Sequence, residues 1–255
     1  MRYQRIVSLA PSNTEILFEL DLGKNLVGVT SYCDFPDTVS SIEKIGTWIK
    51  NDEKKIEKLN PDIILGSMYV PDEIIRWAKE KKVKLVNLYP QTLERIYESI
   101  EELGELFERQ KEAGIIVAKI KKELRLISSK KAKRKFKVYS EEFHKPPMVA
   151  ANWVPELIEI AGGIPMSRPG KLSYEVKGKD VLKFDPDIII LHWCGYKDKS
   201  IKADIRKRKY WENIMAVNEG KIFAIDDTFL NRPGPRIWMG AKLISDLLDK
   251  VYNYK

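Results

Sequence analysis

One segment of this chain occurs twice. Lys54–Leu65 reads KKIEKLNPDIIL and Lys179–Ile190 reads KDVLKFDPDIII, twelve residues each in a chain of 255. In each copy two apolar residues at helical spacing, Ile56 and Leu59 or Val181 and Phe184, precede an Asx-Pro-Asp turn that launches an apolar run of strand length. The pattern predicts a helix, a tight turn and a buried strand of the parallel type, used once in each half. A weaker echo, Ile16–Gly23 (ILFELDLG) against Glu156–Gly163 (ELIEIAGG), reads as a helix end closed by glycine. Copies at equivalent places imply two similar α/β lobes facing each other across a cleft.

The rest of the chain alternates in the same way. Strands are expected at Ile6–Leu9, Leu26–Thr30, Asp62–Leu65 and Val83–Leu88, with helices at Glu15–Leu20, Lys54–Leu59 and Asp72–Lys81, the signature of a parallel sheet covered by helices. From Thr92 to Ile127 no proline interrupts a helical pattern, and Leu93, Ile96, Ile100, Leu103, Leu106 and Phe107 share one face. Only Gly104 and Gly114 weaken it. Some 36 residues at 1.5 Å rise would reach about 54 Å, long enough to run from one lobe to the other. The second half supplies strand Phe136–Ser140, helix Val154–Ala161, the duplicated segment to Leu191, a helix near Ala203–Ile214, strand Ile222–Ile225 and a last helix Ile237–Val251. The expected fold class is therefore α/β, two similar lobes with short parallel sheets joined by one long rigid interlobe helix. The N-terminal lobe takes 1–91, the backbone helix 92–128 and the C-terminal lobe 129–255.

Charge and cysteine content narrow the function. The net charge is +8, and the densest basic run, Lys130–Lys137, falls where the first half ends; it reads as a solvated interlobe connection rather than a nucleic-acid surface. Charged residues make up 32%, with lysine and glutamate dominant, as in many heat-stable proteins. Two cysteines, one in each half, make no disulfide framework. No apolar segment of signal-peptide length follows Met1, and none approaches the roughly 20 residues of a membrane span. As written the protein is expected in the cytoplasm, with an exported or cell-surface location the alternative if a signal has been trimmed.

Ligands of parallel sheets bind beyond the carboxyl ends of the strands. The loops expected there carry Ala10–Asn13, Ser31–Pro36, Gly46–Trp48, Ser67–Tyr69, Tyr89-Pro90, Glu142–His144, His192–Tyr196 and Asp226–Arg232. Nearly every one holds an aromatic residue. Aromatic faces suit a flat, amphipathic ligand, although packing between lobes competes for any single ring. Tyr32, Trp48, Tyr69, Trp193 and Phe229 are the expected apolar walls, and Asn13, Asp227 and Arg232 the polar contacts. Arg236 reads instead as fixing carbonyls near a helix start. Cys33, Cys194 and His192, with His144, form a set of soft donors able to hold zinc, ferrous iron or cobalt, although a lone cysteine is more often a small buried hydrophobe. No P-loop, Gly-x-Ser-x-Gly or paired-cysteine zinc spacing is present.

Several segments together carry a resemblance. RIVSLAPSNTEILF (Arg5–Phe18), VGVTSYCDFP (Val27–Pro36), Gly46-Thr47-Trp48, both Pro-Asp-Ile-Ile strands, NWVPELIEIAGG (Asn152–Gly163) and NRPGPR (Asn231–Arg236) resemble the substrate-binding proteins of cobalamin and ferric-siderophore ABC importers. The likeness covers essentially the whole chain and is strongest to the cobalamin-binding branch. It implies two lobes with a rigid interlobe helix and no catalysis. It also implies no required cofactor, a corrinoid or related metal chelate (a ferric siderophore or haem) in the cleft, and an ABC permease as partner. Tyr32 and Trp48 match the family's corrinoid contacts. Another contact falls near Ser67, with Tyr69 two residues on, and second-lobe contacts map beside Tyr174 and Phe143. The docking glutamates of the importers align with Lys54 and Lys179, beside Glu53 and Asp180. HWCGY and NWVPEL resemble intracellular relatives of the family. The competing reading is a metal- or tetrapyrrole-handling enzyme working through Cys33, Cys194 or the histidines.

Overall fold

The computed structural model describes residues 3–130, 134–199 and 205–253. The chain divides into two compact units. Unit 1 is Met1–Pro90, Glu94–Lys119 and Pro233–Pro235, and unit 2 is Gln91–Leu93, Ile120–Arg232 and Arg236–Lys255.

Unit 1 is a four-stranded parallel sheet. Its elements are β1 (Ile6–Ser8), α1 (Pro11–Glu19), β2 (Leu26–Val29), α2 (Glu53–Lys58), β3 (Ile63–Ser67), α3 (Asp72–Glu80) and β4 (Lys84–Leu88), with strand order β2-β1-β3-β4. Val7, Ile45, Ile56, Ile64, Ile74 and Trp77 form a core on one face. Helix α1 starts at Pro11, earlier than the Glu15 expected, because proline's fixed φ and missing N–H suit the first helical position.

Unit 2 repeats that order and adds to it. It contains β5 (Lys137–His144), β6 (Pro147–Val149), α6 (Val154–Ile160), β7 (Ile164–Pro165), β8 (Tyr174–Glu175), α7 (Gly178–Phe184), β9 (Ile188–Leu191), α8 (Met215–Asn218), β10 (Ile222–Ala224) and α9 (Trp238–Asn253). Strands β7, β5, β9 and β10 pair in parallel in that sequence, the counterpart of β2-β1-β3-β4. Strands β6 and β8 extend the sheet with antiparallel pairings, so it is mixed rather than purely parallel. The helix expected near Ala203–Ile214 falls partly outside the described residues. From Lys207 onward the chain there is turns and a 3₁₀ turn at Trp211–Asn213.

The duplicated segment folds the same way twice, down to its hydrogen bonds. Ile56 and Val181 are fully buried, and Asn60 and Asp185 leave their helices through left-handed backbone at φ 44° and 50°. The aspartate after each proline then clamps the entry of the neighbouring strand. Asp62 accepts from the amides of Gln4 (2.8 Å) and Arg5 (3.0 Å) before β1, and Asp187 accepts from the amide of Lys137 (2.8 Å) at the start of β5. The side chain at each strand entry returns the bond to the helix end. Arg5 donates to the Leu59 carbonyl (2.6 Å) and Lys137 to the Phe184 carbonyl (3.0 Å), satisfying groups that a helix C-terminus leaves open.

Residues 92–128 form two helices rather than one. α4 covers Leu93–Leu106 and α5 covers Gln110–Ser128, with Glu108 at φ 58° between them. A Cβ on Gly104 would meet the Cβ of Ala113 at 2.5 Å, so the missing side chain lets the two helices turn tightly on each other. The apolar face expected from the sequence is buried all the same, with Ile96, Ile100, Leu103 and Phe107 at zero exposure. The basic run Lys130–Lys137 lies partly outside the described residues. Its described end belongs to unit 2, where Arg134 pairs with Asp187 at 2.7 Å.

Candidate functional site

All four strands of unit 1 run the same way, so their carboxyl ends and the loops that follow share one edge of the sheet. That edge presents rings to solvent. Tyr32 follows β2 and is 42% exposed, Tyr69 follows β3 and is 49% exposed, and Tyr89 follows β4 and is 44% exposed. Trp48, 45% exposed, tops a tight turn closed by the Thr47 amide to the Lys50 carbonyl (2.9 Å) and by the Asn51 side chain to the Thr47 carbonyl (2.6 Å). Gly46 sets this turn at φ 111°, where a Cβ would meet the Lys50 carbonyl at 2.4 Å. The Trp48 and Tyr69 rings meet edge to face, 6.1 Å between centroids. Four exposed aromatic side chains on one sheet edge depart from the scattered single hydrophobics of an ordinary surface.

The carboxyl edge of unit 2 combines exposed rings with tightly bonded polar groups. Phe143 near the end of β5, Tyr174 in β8 and Tyr196 after β9 are each more than a third exposed. Glu142 fastens their loops, accepting from Ser173 Oγ and from Asn152 Nδ2 (3.3 Å). Phe229 is half-buried beneath the Arg236 guanidinium, 5.4 Å from its ring centroid, and Arg232 follows it, also half-buried. Asp227 accepts from the Gly195 (2.9 Å) and Lys197 (2.8 Å) amides and so ties down the loop after β9. Burial raises its pKa and those two bonds oppose the rise.

Other expected site residues are spent inside the fold. Asn13 sits within α1 at 1% exposure and donates to the Gly66 carbonyl at 2.8 Å, locking α1 to β3. Trp193 is wholly buried and cannot wall a ligand site. Its indole N–H donates to Glu141 (2.8 Å), and the His144 ring stacks on it at 4.4 Å. Glu141, at zero exposure, also accepts from Tyr139 (2.7 Å) and takes a two-bond ion pair from Arg208 (2.6 and 2.9 Å), a network the sequence reading missed. Its hydrogen bonds join positions up to 67 apart, which no local spacing signals.

Among the described residues no group of three cysteine, histidine or carboxylate side chains converges to hold an ion. Cys33 is buried in unit 1 between Thr14 and Thr30, both 3.2 Å from its sulfur, and burial raises its pKa. In unit 2, burial pushes the Cys194 thiol well up, with the Glu142 and Asp227 carboxylates adding to it. His192 is buried between Ser140 (2.6 Å at Nε2) and Asn231 (2.6 Å at Nδ1). The Asn231 amide N–H bonds the His192 carbonyl at 2.9 Å, which turns its oxygen toward Nδ1 and places the ring proton there. Ser140, His192 and Asn231 thus line up as a hydroxyl–imidazole–amide chain, with Ser140 3% exposed and His192 wholly buried.

The expected docking residues are placed differently from the ligand candidates. Glu53 and Lys54 open α2, Lys179 and Asp180 lie in the first turn of α7, and all four are exposed. No helix among the described residues is long and apolar enough to cross a membrane.

Comparison with known proteins agrees with this architecture. Residues 6–228 match the family described as "Periplasmic binding protein". The chain belongs to that family. An uncharacterized ABC transporter substrate-binding lipoprotein, YvrC of Bacillus subtilis, is 28% identical over 98% of this chain and 80% of its own length. A vitamin B12-binding protein of Vibrio cholerae is 25% identical over 91% of this chain and 84% of its own. The crystal structure of a possible iron-binding, periplasmic solute-binding protein from Staphylococcus epidermidis superposes with a TM-score of 0.83 at 29% identity, covering 97% of this chain and 99% of that one.

Proposed function

We propose that this periplasmic binding protein is the ligand-binding component of an ABC importer for a corrinoid or a related metal chelate, such as haem or a ferric siderophore. The observation that carries the reading is the row of exposed rings Tyr32, Trp48 and Tyr69 on the carboxyl edge of unit 1. Large rigid faces with a polar rim suit a flat macrocycle whose edges are amphipathic. Phe143, Tyr174, Phe229 and Arg232 are the candidate contacts on the carboxyl edge of unit 2, rings together with a cation of the kind that recognises a carboxylate or phosphate. Among the chelates a corrinoid is the first choice, in line with the vitamin B12-binding relative. The role is binding without catalysis, because the imidazole and hydroxyl best arranged for acid–base work are sealed from substrate. It carries with it a membrane permease as partner and a location on the outer side of the membrane, in line with the lipoprotein relative.

The test is titration of the purified protein with cyanocobalamin, adenosylcobalamin, haem and a ferric siderophore, followed by the ligand's absorbance and by tryptophan quenching. Binding of one of them in the micromolar range or tighter, on the order of −8 kcal/mol, is expected. Failure of all four to bind at that level contradicts the reading.

A further inference from the structure

Unit 2 contains a cavity of about 770 Å³ whose lining includes none of the rings or the arginine named for the carboxyl-edge site. Three separate segments build it: the tip of the β5–β6 hairpin, residues 175–178 ahead of α7, and residues 207–211. Pro146 and Pro147 give its lining accessible apolar surface, Val176 and Trp211 are buried behind it, and Lys145, Lys177, Lys207 and Lys209 stand around it. Among the described residues Glu175 is the one carboxylate of the lining. None of the four lysines makes an ion pair with a described residue. The matching part of unit 1 is built differently. There Asp52 and Glu53 directly precede Lys54 and Lys55, Lys55 pairs with Glu43 at 2.9 Å, and Lys81 pairs with Glu57 at 2.5 Å. Four exposed lysines of unit 2 thus stand around one cavity with no ion-pair partner among the described residues.

We propose that this cavity is a docking site for an acidic segment of a protein partner, which seats several carboxylates on the lysine rim and an apolar side chain against Pro146. The division of labour among the cations points to a macromolecular acid rather than a small anion. Arg208 is the cation drawn inward, and Glu141 already holds it through both nitrogens. What remains is a ring of exposed lysines, each worth little alone, whose attraction becomes useful when one partner presents many carboxylates together. The inference stands on charge placement in unit 2 and does not depend on the ligand proposed above.

The probe is a fluorescein-labelled peptide of ten glutamates flanked by leucines, followed by anisotropy at low and physiological salt. The native protein should bind it with a steep salt dependence. The variant K145E/K177E/K207E/K209E should bind it at least about tenfold more weakly. The control K58E/K79E/K84E/K111E also takes the net charge of +8 to zero, but on exposed lysines of unit 1, and should keep most of the affinity. Equal loss in both variants, or no loss in the first, overturns the proposal. So does selective binding, through the same four lysines, of phosphatidylglycerol vesicles, a single-stranded oligonucleotide or inorganic phosphate in place of the peptide. If the fourfold variant fails to fold, Lys177→Gln and Lys209→Gln replace it, each expected to weaken binding about twofold to threefold; unchanged affinity in both counts against the site. Chelate titration of the same variants separates the two readings, since neither set of lysines belongs to the carboxyl-edge site.

Discussion

His192 has no exposed surface, and burial lowers its pKa below the ordinary histidine value of 6.5. Above that value the ring is neutral whether the chain is folded or unfolded, so it adds no pH dependence. Below it the unfolded chain takes up a proton that the folded protein refuses, so stability falls as pH drops from 6.5 toward the folded pKa. The melting temperature should decline over that window, and His192→Gln should flatten the decline. An equally steep profile in the variant would assign the effect elsewhere. Tyr32 and Trp193 show what was legible at this scale. Both are aromatic residues at strand ends, and sequence position treats them alike. Tyr32 lies in a loop and stays exposed, whereas Trp193 continues the line of β9 inward, where a buried carboxylate 52 positions away claims its N–H. A long-range polar partner of that kind leaves no local trace. Asn13 was misplaced for a related reason, since proline started α1 a turn early and carried the side chain inside.

The duplicated helix–turn–strand was the most readable element, because its signals are local: apolar spacing, then an Asx-Pro-Asp turn ahead of an apolar run. Its hydrogen bonds allow a quantitative comparison of the two copies. Asp187 is partly shielded and binds both the Lys137 amide and the Arg134 side chain, whereas Asp62 is exposed. Asp187→Ala should cost about 1–3 kcal/mol in urea denaturation and Asp62→Ala about 1 kcal/mol or less, because water readily replaces the lost acceptor at the exposed site. Equal losses would show that the two clamps do not differ in this way. The break between α4 and α5 was harder to read. The apolar face runs through it without interruption, and the requirement for Gly104 arises from its contact with Ala113, a packing fact rather than a propensity. Likewise β6 and β8 are too short, at three and two residues, to stand out from the surrounding loops.

At the scale of the whole molecule, one parallel strand order is used twice, and each use gathers its loops on a carboxyl edge. The periplasmic binding protein family was legible because its carriers are contiguous motifs spread along the chain. The division between ligand-facing and core side chains depends on where strands stop, and that was legible only in part. Unit 1 keeps the expected rings exposed, while unit 2 withdraws Trp193 and His192 and holds Asp227 in loop hydrogen bonds. The central claim is that the rings of unit 1 hold a flat metal chelate. It is tested most directly by isothermal titration of cyanocobalamin into the native protein and into the Trp48→Ala/Tyr69→Ala variant. Both rings are half exposed, so the variant should keep its melting temperature while the dissociation constant rises about tenfold to a hundredfold. An unchanged dissociation constant in a fully folded variant would contradict the account.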